Sequence, residues 1–306
     1  MTAIDDFFTH YYARRPVNAT FTGVHAYDDA LPDWSLDGLD ALDDEMRSLG
    51  SALEKEYPAP ASAAAFRNNP DLLDAELARA YVAVQRAENA SMHGPRGNPS
   101  LWVGESIFSV ISLMSRDFAP AEERFQLAAE RLRQIPRFLC HSESERSAEG
   151  AEARNLDHPD REPLGRDERD SSPPRTVGRS ARNDSPAPRP WIEKALREGE
   201  GASILLSTGI ERWLASTAGS TEAKARVRVS AANARDAFQT FATTLASQPE
   251  APPSALACGP DLCDLLLSRT LLHALACGSA RRCERAVRWR PGGARPARPF
   301  GRGLMG

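Results

Sequence analysis

The sequence predicts an all-α protein built from long antiparallel helices. Three observations predict it. Apolar residues recur at steps of three and four over most of the chain, residues that open helices stand at the head of those runs, and no convincing period-two alternation marks a strand.

The first segment places Ile4, Phe7, Phe8, Tyr11 and Tyr12 on one apolar face, and Pro16 stops it. A long amphipathic helix follows, from Leu36 through Leu39, Leu42, Met46, Leu49 and Leu53 to an end near Pro58. Ser35 stands at its N-cap position, and Asp37 adds negative charge to its first turn. A third helix is expected from Asp71, with Leu73, Leu77, Tyr81 and Val84 along it. The stretch LWVGESIFSVISLM, Leu101 to Met114, is apolar nearly all round, as expected of a helix buried on several sides. Pro120, followed by Glu122 and Glu123, opens the next helix, with Phe125, Ala129, Leu132 and Ile135 inward. Two more run from Trp191 to about Ala215 and from Glu222 to about Ser247, the second with Val227, Ala231, Ala234, Phe238, Phe241 and Leu245 on its inner face.

Two stretches break this pattern and divide the chain into a first scaffold part, 1–140, an insertion, 141–189, a second scaffold part, 190–277, and a tail, 278–306. The insertion is rich in Ser, Pro, Asp, Glu and Arg, with Leu156, Leu164 and Val177 almost its only large apolar residues. It cannot bury enough surface to offset chain entropy, so disorder is expected. The tail, GSARRCERAVRWRPGGARPARPFGRGLMG, sets eight arginines against the single acid Glu284 and has no helical period, so disorder is expected there too. Three readings compete for it: a solvated tail, an arm that attracts nucleic-acid phosphate and stacks bases on Trp289 and Phe300, and an out-of-frame translation of a GC-rich gene. The last accounts best for its vocabulary of Ala, Arg, Gly and Pro.

With 306 residues, a net charge of -4 and a pI near 5.9, the composition is that of an ordinary soluble protein and gives no whole-chain reason for a nucleic-acid or anionic-membrane partner. No window reaches the roughly 18 apolar residues a membrane span needs. The acidic start MTAIDDFFTH is unlike a secretory signal, so the cytoplasm is the expected address. Five cysteines, Cys140, Cys258, Cys263, Cys277 and Cys283, are read as free thiols.

The stretch with the densest chemistry is HAYDDALPDWS, His25 to Ser35. His with Asp at short spacing can ligate a metal, and paired carboxylates can divide acid and base roles. A structural reading fits the same residues. Asp28 and Asp29 before Leu31-Pro32 suit a turn, Asp33 and Ser35 suit a helix start, and Tyr27, Leu31 and Trp34 can pack the turn onto the bundle. His25 is then a hydrogen-bonded linker histidine.

Other chemistry is thinner. Among His10, His25, His93, His141, His158 and His273, no two stand four apart as the zinc-hydrolase helix requires. Cys258, Cys263, Cys277 and Cys283, with His273 between, are separated by five, fourteen and six positions, unlike the short paired spacings of structural zinc sites. There is no phosphate-binding loop, no G-x-S-x-G elbow and no thiol beside a credible partner histidine. Glu198, Glu200 and Glu211 could meet a substrate, but a solvated helical face explains them.

Four stretches taken in order, FTGVHAYDDALPDWS, NPSLWVGESIFSVISLMSRDFAP, PRPWIEKALREGEGA and GPDLCDLLLSR, resemble the N-terminal half of a bacterial family catalogued as domain of unknown function 885. The resemblance covers about Ile4 to Leu139 and Pro188 to Arg269. It implies an all-helical scaffold that in complete members, similar in their other half to gluzincin-type metallopeptidases, frames a cleft over a zinc ion held by an H-E-x-x-H helix and a further Glu. The implied activity is hydrolysis of a peptide-like amide, with zinc polarising the carbonyl and the motif Glu activating water.

None of those positions occurs in this chain, so no catalytic, cofactor-binding or metal-ligating residue is assigned. Zinc and a peptide-like substrate are expected of complete relatives only. Ala153 to Leu156 and Pro188 to Trp191 match family anchors, with about thirty foreign residues between them. With the tail, this suggests an interrupted gene and a truncated, inactive scaffold whose helices leave apolar faces in water. The alternative is a non-enzymatic helical interaction protein with a nucleic-acid-binding tail. No membrane partner is expected.

Overall fold

The computed structural model describes residues 2–58, 69–139 and 186–269. Apart from residues 186–189, the expected disordered insertion and tail lie outside the described residues, as do Cys140, Cys277, Cys283 and His273.

The described chain is all-α, apart from a two-residue parallel bridge between β1, Ala187–Pro188, and β2, Glu250–Ala251. Helix α1, Ala3–Arg14, is opened by a reciprocal cap between Thr2 and Asp5. Pro16 ends it, as the sequence suggests, and also opens the short α2, Pro16–Thr22, where a first-turn proline loses no hydrogen bond. Gly23, at φ 90°, closes α2 in the left-handed conformation that only glycine adopts without strain. A single 3-10 turn, His25–Tyr27, leads into the polar loop before α3, Leu36–Glu56. Ser35 caps α3 as expected, its Oγ accepting from Gly38 N at 3.0 Å. A Cβ on Gly38 would lie 2.4 Å from Asp33 Cγ, so glycine is what lets the Asp33 carboxyl fold back onto this first turn.

Then come α4, Pro70–Ala90, α5, Pro99–Met114, and α6, Ala121–Leu139. Asn69 caps α4 and Asn98 caps α5. The expected helix from Trp191 to Ala215 begins slightly earlier, at Arg189, and is two helices, α7, Arg189–Ile204, and α8, Ile210–Ser216, joined by a π-helical turn, Leu205–Gly209. The ordered second part already includes Ala187 and Pro188, both buried. Helix α9, Thr221–Ser247, lies along α6, and α10, Gly259–Arg269, packs on α4. Glu122 of α6 accepts from the backbone N–H and hydroxyl of Ser220, the cap of α9, at 2.9 and 2.7 Å. The heads of α6 and α9 therefore sit together, and α7 packs on α5 and α9.

The buried apolar residues form two clusters. The larger is drawn from α5, α6, α7, α8 and α9, and includes Trp102, Phe125, Leu132, Trp213, Val227 and Phe238. The smaller joins α1, α3 and α4 through Phe7, Leu39, Met46, Leu53 and Val82. Trp34 packs against both. Its ring meets Trp102 edge-on at 5.3 Å and Phe138 at 5.3 Å, so one aromatic from the polar loop joins the two cores.

Helix α4 departs from its expected phase. Leu73 and Leu77 are 46% and 44% exposed, while Ala75, Ala78, Val82, Gln85 and Asn89 are buried. The small alanines admit close approach of α3, so the helix is rotated and its inward stripe ends in two amides. In α1 Phe8 is likewise exposed, and Phe7 alone of its aromatics is fully buried. With Ile204 and Val229 also exposed, large apolar side chains do reach solvent on several helices.

Replacing Trp34 with alanine removes the side chain shared by both clusters. We expect Trp34→Ala to lose about 3 kcal/mol of stability in urea unfolding, as deletion of a large core aromatic does, with little change in helix content before the transition.

Candidate functional site

The polar loop is organised from below by one side chain. Arg131 of α6 is fully buried at 0% exposure, on the same helical face as Phe125, Ala128, Leu132 and Ile135. Its Nη1 donates to Ser109 O and Ser112 Oγ of α5, both at 2.9 Å. Its Nη2 donates to Pro16 O at 3.2 Å, Thr20 Oγ1 at 2.7 Å and Tyr27 O at 3.2 Å. Thr20 passes the contact on by donating to Asp28 Oδ1 at 2.6 Å, and His25 Nδ1 donates to Asp28 Oδ2 at 2.8 Å. Burial pulls the Arg131 guanidinium down to about 10, opposed by the charges of Asp28, Glu105 and Asp29, so it stays ionised at neutral pH.

His25 lies flat on Phe118, ring centroids 4.1 Å apart. Gln134 of α6 closes the loop from the other side, donating to Asp29 O at 2.6 Å and accepting from Leu31 N at 3.1 Å. Asp33 Oδ1 accepts from Ser35 N at 3.0 Å. His25 and the carboxyls of Asp28 and Asp33 thus hold the chain of the loop.

A second polar group lies along α4 beside the junction of α1 and α2. Arg15, at the junction of α1 and α2, donates to Gln85 Oε1. Tyr81 OH donates to the same oxygen at 2.9 Å, and Gln85 Nε2 donates to Asn89 Oδ1 at 3.0 Å. The Arg15 guanidinium sits 5.8 and 5.2 Å from the ring centroids of Tyr11 and Tyr81. Tyr11 OH accepts from Asn18 at 2.6 Å, and burial pushes the Tyr81 phenol up. On α5, half-buried Glu105 is raised from its ordinary value by burial, against the pull of Arg15 and Arg131. Asn89 Nδ2 and Arg131 Nε are among the buried donors without a hydrogen-bond partner. The set is rich in donors and suits recognition of an oxygen acceptor rather than nucleophilic attack.

The other sequence candidates do not gather. His10 and Arg14 pair with Glu45. His93 Nε2 donates to Leu256 O at 3.1 Å. Glu198 pairs with Lys194 and Glu211 with Arg228, on the helix surface. Cys258 and Cys263 are free thiols at the head of α10. Among the described residues no three His, Cys, Asp or Glu side chains converge so as to hold a metal ion, and no helix among them is long and apolar enough to cross a membrane.

Arg15, Gln85, Asn89, Glu105 and Arg131 were missed by the sequence reading, which took polar residues as solvated. A signal existed. Arg131 falls seven residues after Arg124 on the inward face of α6, and Gln85 and Asn89 extend the Ala75, Ala78, Val82 stripe at the same steps of three and four.

A family model described as "Bacterial protein of unknown function (DUF885)" matches residues 16–271. No curated protein matches the chain. Among solved structures, a protein of Shewanella oneidensis described as a "putative lipoprotein of unknown function" is similar in fold, with a TM-score of 0.55 at 16% identity, over 80% of this chain and 36% of that one. The present chain therefore spans little more than a third of that protein.

Two outcomes follow from the geometry. Arg131→Met leaves five acceptors and the buried Asp28 without the guanidinium, so urea unfolding should show a loss of about 3–5 kcal/mol. Glu105 behaves oppositely to a salt-bridged acid. Because its folded value is raised above the ordinary 4.5, its contribution to stability is fully present below that value and is lost as the pH rises through the folded one. The stability of the wild type relative to Glu105→Gln, measured across mildly acidic pH, should fall as the pH rises.

Proposed function

The chain belongs to the DUF885 family of bacterial proteins, and from that membership we propose that it is scaffold: a helical portion of a larger zinc-peptidase-like protein, with no catalytic centre among its own residues. The observation that carries this reading is the unequal overlap with the solved relative, 80% of this chain against 36% of the other. It supports the view that these helices are one share of a larger assembly of helices. The zinc-peptidase element rests on the sequence resemblance and on the H-E-x-x-H motif that the resemblance implies for complete members.

The described residues do not fit zinc. His10, His25 and His93 lie on different elements and are committed to Glu45, Asp28 and the Leu256 carbonyl. No step of a metal-assisted hydrolysis is therefore assigned to this chain. What its residues supply is form: the Arg131 network ties α5 and α6 to α2 and the following turn, and Trp34 packs against both cores.

The purified 306-residue chain, equilibrated with zinc and then freed of unbound metal, should retain far less than one zinc per chain and release no product from a mixed peptide substrate pool. One zinc per chain together with cleavage that a chelator abolishes would overturn the proposal.

A further inference from the structure

Helix α4 carries a second apolar stripe. Leu73, Leu77, Ala80, Val84 and Ala87 recur at steps of four and three, on the side opposite Ala75, Ala78 and Val82, which bury against α1 and α3. Such spacing is a seam along which a neighbouring helix packs. Its two halves differ. Ala80 is 9% exposed and Val84 and Ala87 are half-buried, while Leu77 and Leu73 stand 44% and 46% exposed. The covered half meets α10, which packs on α4 from outside the smaller core. The bare half holds the two largest side chains of the stripe.

The direction of α10 is set at its head. His93, just past the tail of α4, donates from Nε2 to Leu256 O at 3.1 Å, shortly before α10 begins. Packing on α4 from that starting point, α10 runs back along the stripe toward Leu77 and Leu73, with Leu262 as its buried contact. It ends too soon. At 1.5 Å per residue the stripe from Ala87 to Leu73 is about 21 Å long, and α10 only about 16 Å. The sequence that comes next, residues 270–277, is TLLHALAC, with no Asp, Glu, Lys or Arg in it. Leu272 stands seven residues after Leu265 and Ala276 fourteen after Leu262, so both keep the step of the face by which α10 packs. Beyond them come Arg281, Arg282 and Arg285, and the head of α4, past Leu73, presents the exposed acids Asp71 and Asp74.

We infer that the bare half of this stripe is the docking surface for residues 270–277 of the same chain, with Leu272 set against Leu73 and Leu77 and the arginines that follow beside Asp71 and Asp74. Leucines buried on both sides remove apolar surface from water. Residues 270–277 follow α10 with no linker between, so little loop-closure entropy opposes the contact, whereas a second copy or a separate protein would also lose its translational and rotational freedom. The opposite charges at the far end set the direction and add little affinity where water reaches them. The inference stands apart from the scaffold reading and needs neither zinc nor the remainder of a longer protein.

The test uses the full 306-residue chain. By hydrogen exchange read by mass spectrometry, residues 270–277 should exchange about tenfold or more slowly than the same sequence as a free peptide, the protection that burial of a leucine supplies. Leu73→Lys together with Leu77→Lys should abolish that protection and leave residues 259–266 as protected as before. A nitroxide on Cys277, with Cys140→Ser, Cys258→Ser, Cys263→Ser and Cys283→Ser, should broaden the Leu73 and Leu77 methyl resonances of its own chain. When nitroxide-bearing chains are mixed with isotope-labelled chains that lack the nitroxide, those resonances should stay sharp. The inference is overturned by free exchange across residues 270–277, which would leave the stripe open to a separate protein, and by protection that survives the lysine pair. Broadening between chains and not within one also overturns it, because it makes a second copy the occupant. Should the lysine pair fail to fold, exchange in the wild type and the nitroxide reading decide by themselves.

Discussion

Burying a guanidinium is the constraint on which the described structure turns. Arg131 enters the interior with no water to solvate it, so the chain must bring acceptors to it from several elements at once. Ser109 and Ser112 come from α5, Pro16 and Thr20 from α2, and Tyr27 from the turn that follows. Those five contacts span sequence separations of 19 to 115 residues. Satisfying them sets the beginning of the chain against its middle, which apolar packing alone, being non-directional, would leave loosely specified.

The two-core arrangement follows from the same requirement. The smaller cluster is built on α1, α3 and α4, the larger on α5 to α9, and between them lie polar side chains that belong to neither. Trp34 is the apolar bridge and the Arg131 network the polar one. Arg15, Gln85 and Asn89 are joined by hydrogen bonds along α4, apart from the Arg131 network.

Membership of a family without an assigned activity leaves chemistry to be argued from side chains. The stretch with the most chemical residue types, HAYDDALPDWS, is spent on structure: His25, Asp28 and Asp33 each satisfy a local donor or acceptor, and Trp34 packs. The groups left unsatisfied are elsewhere, on helices that read as plain amphipathic repeats.

The sequence by itself determined the all-α class, most helix positions and several ends. The reason is local: a period of three to four in apolar residues, a side-chain oxygen at Ser35 and a proline at Pro16 act within a turn or two of the chain. It also identified the inner face of α9 and the capping role of Ser35, which the structure repeats. Only the tertiary structure decided which face of α4 turns inward, because Leu73 and Ala75 compete there and the neighbouring α3 has room for the smaller residue. It alone placed Arg131, Gln85 and Asn89 inside. A polar residue reads as solvated until its acceptors are known, and those acceptors lie up to 115 residues away, a distance over which no local period carries information.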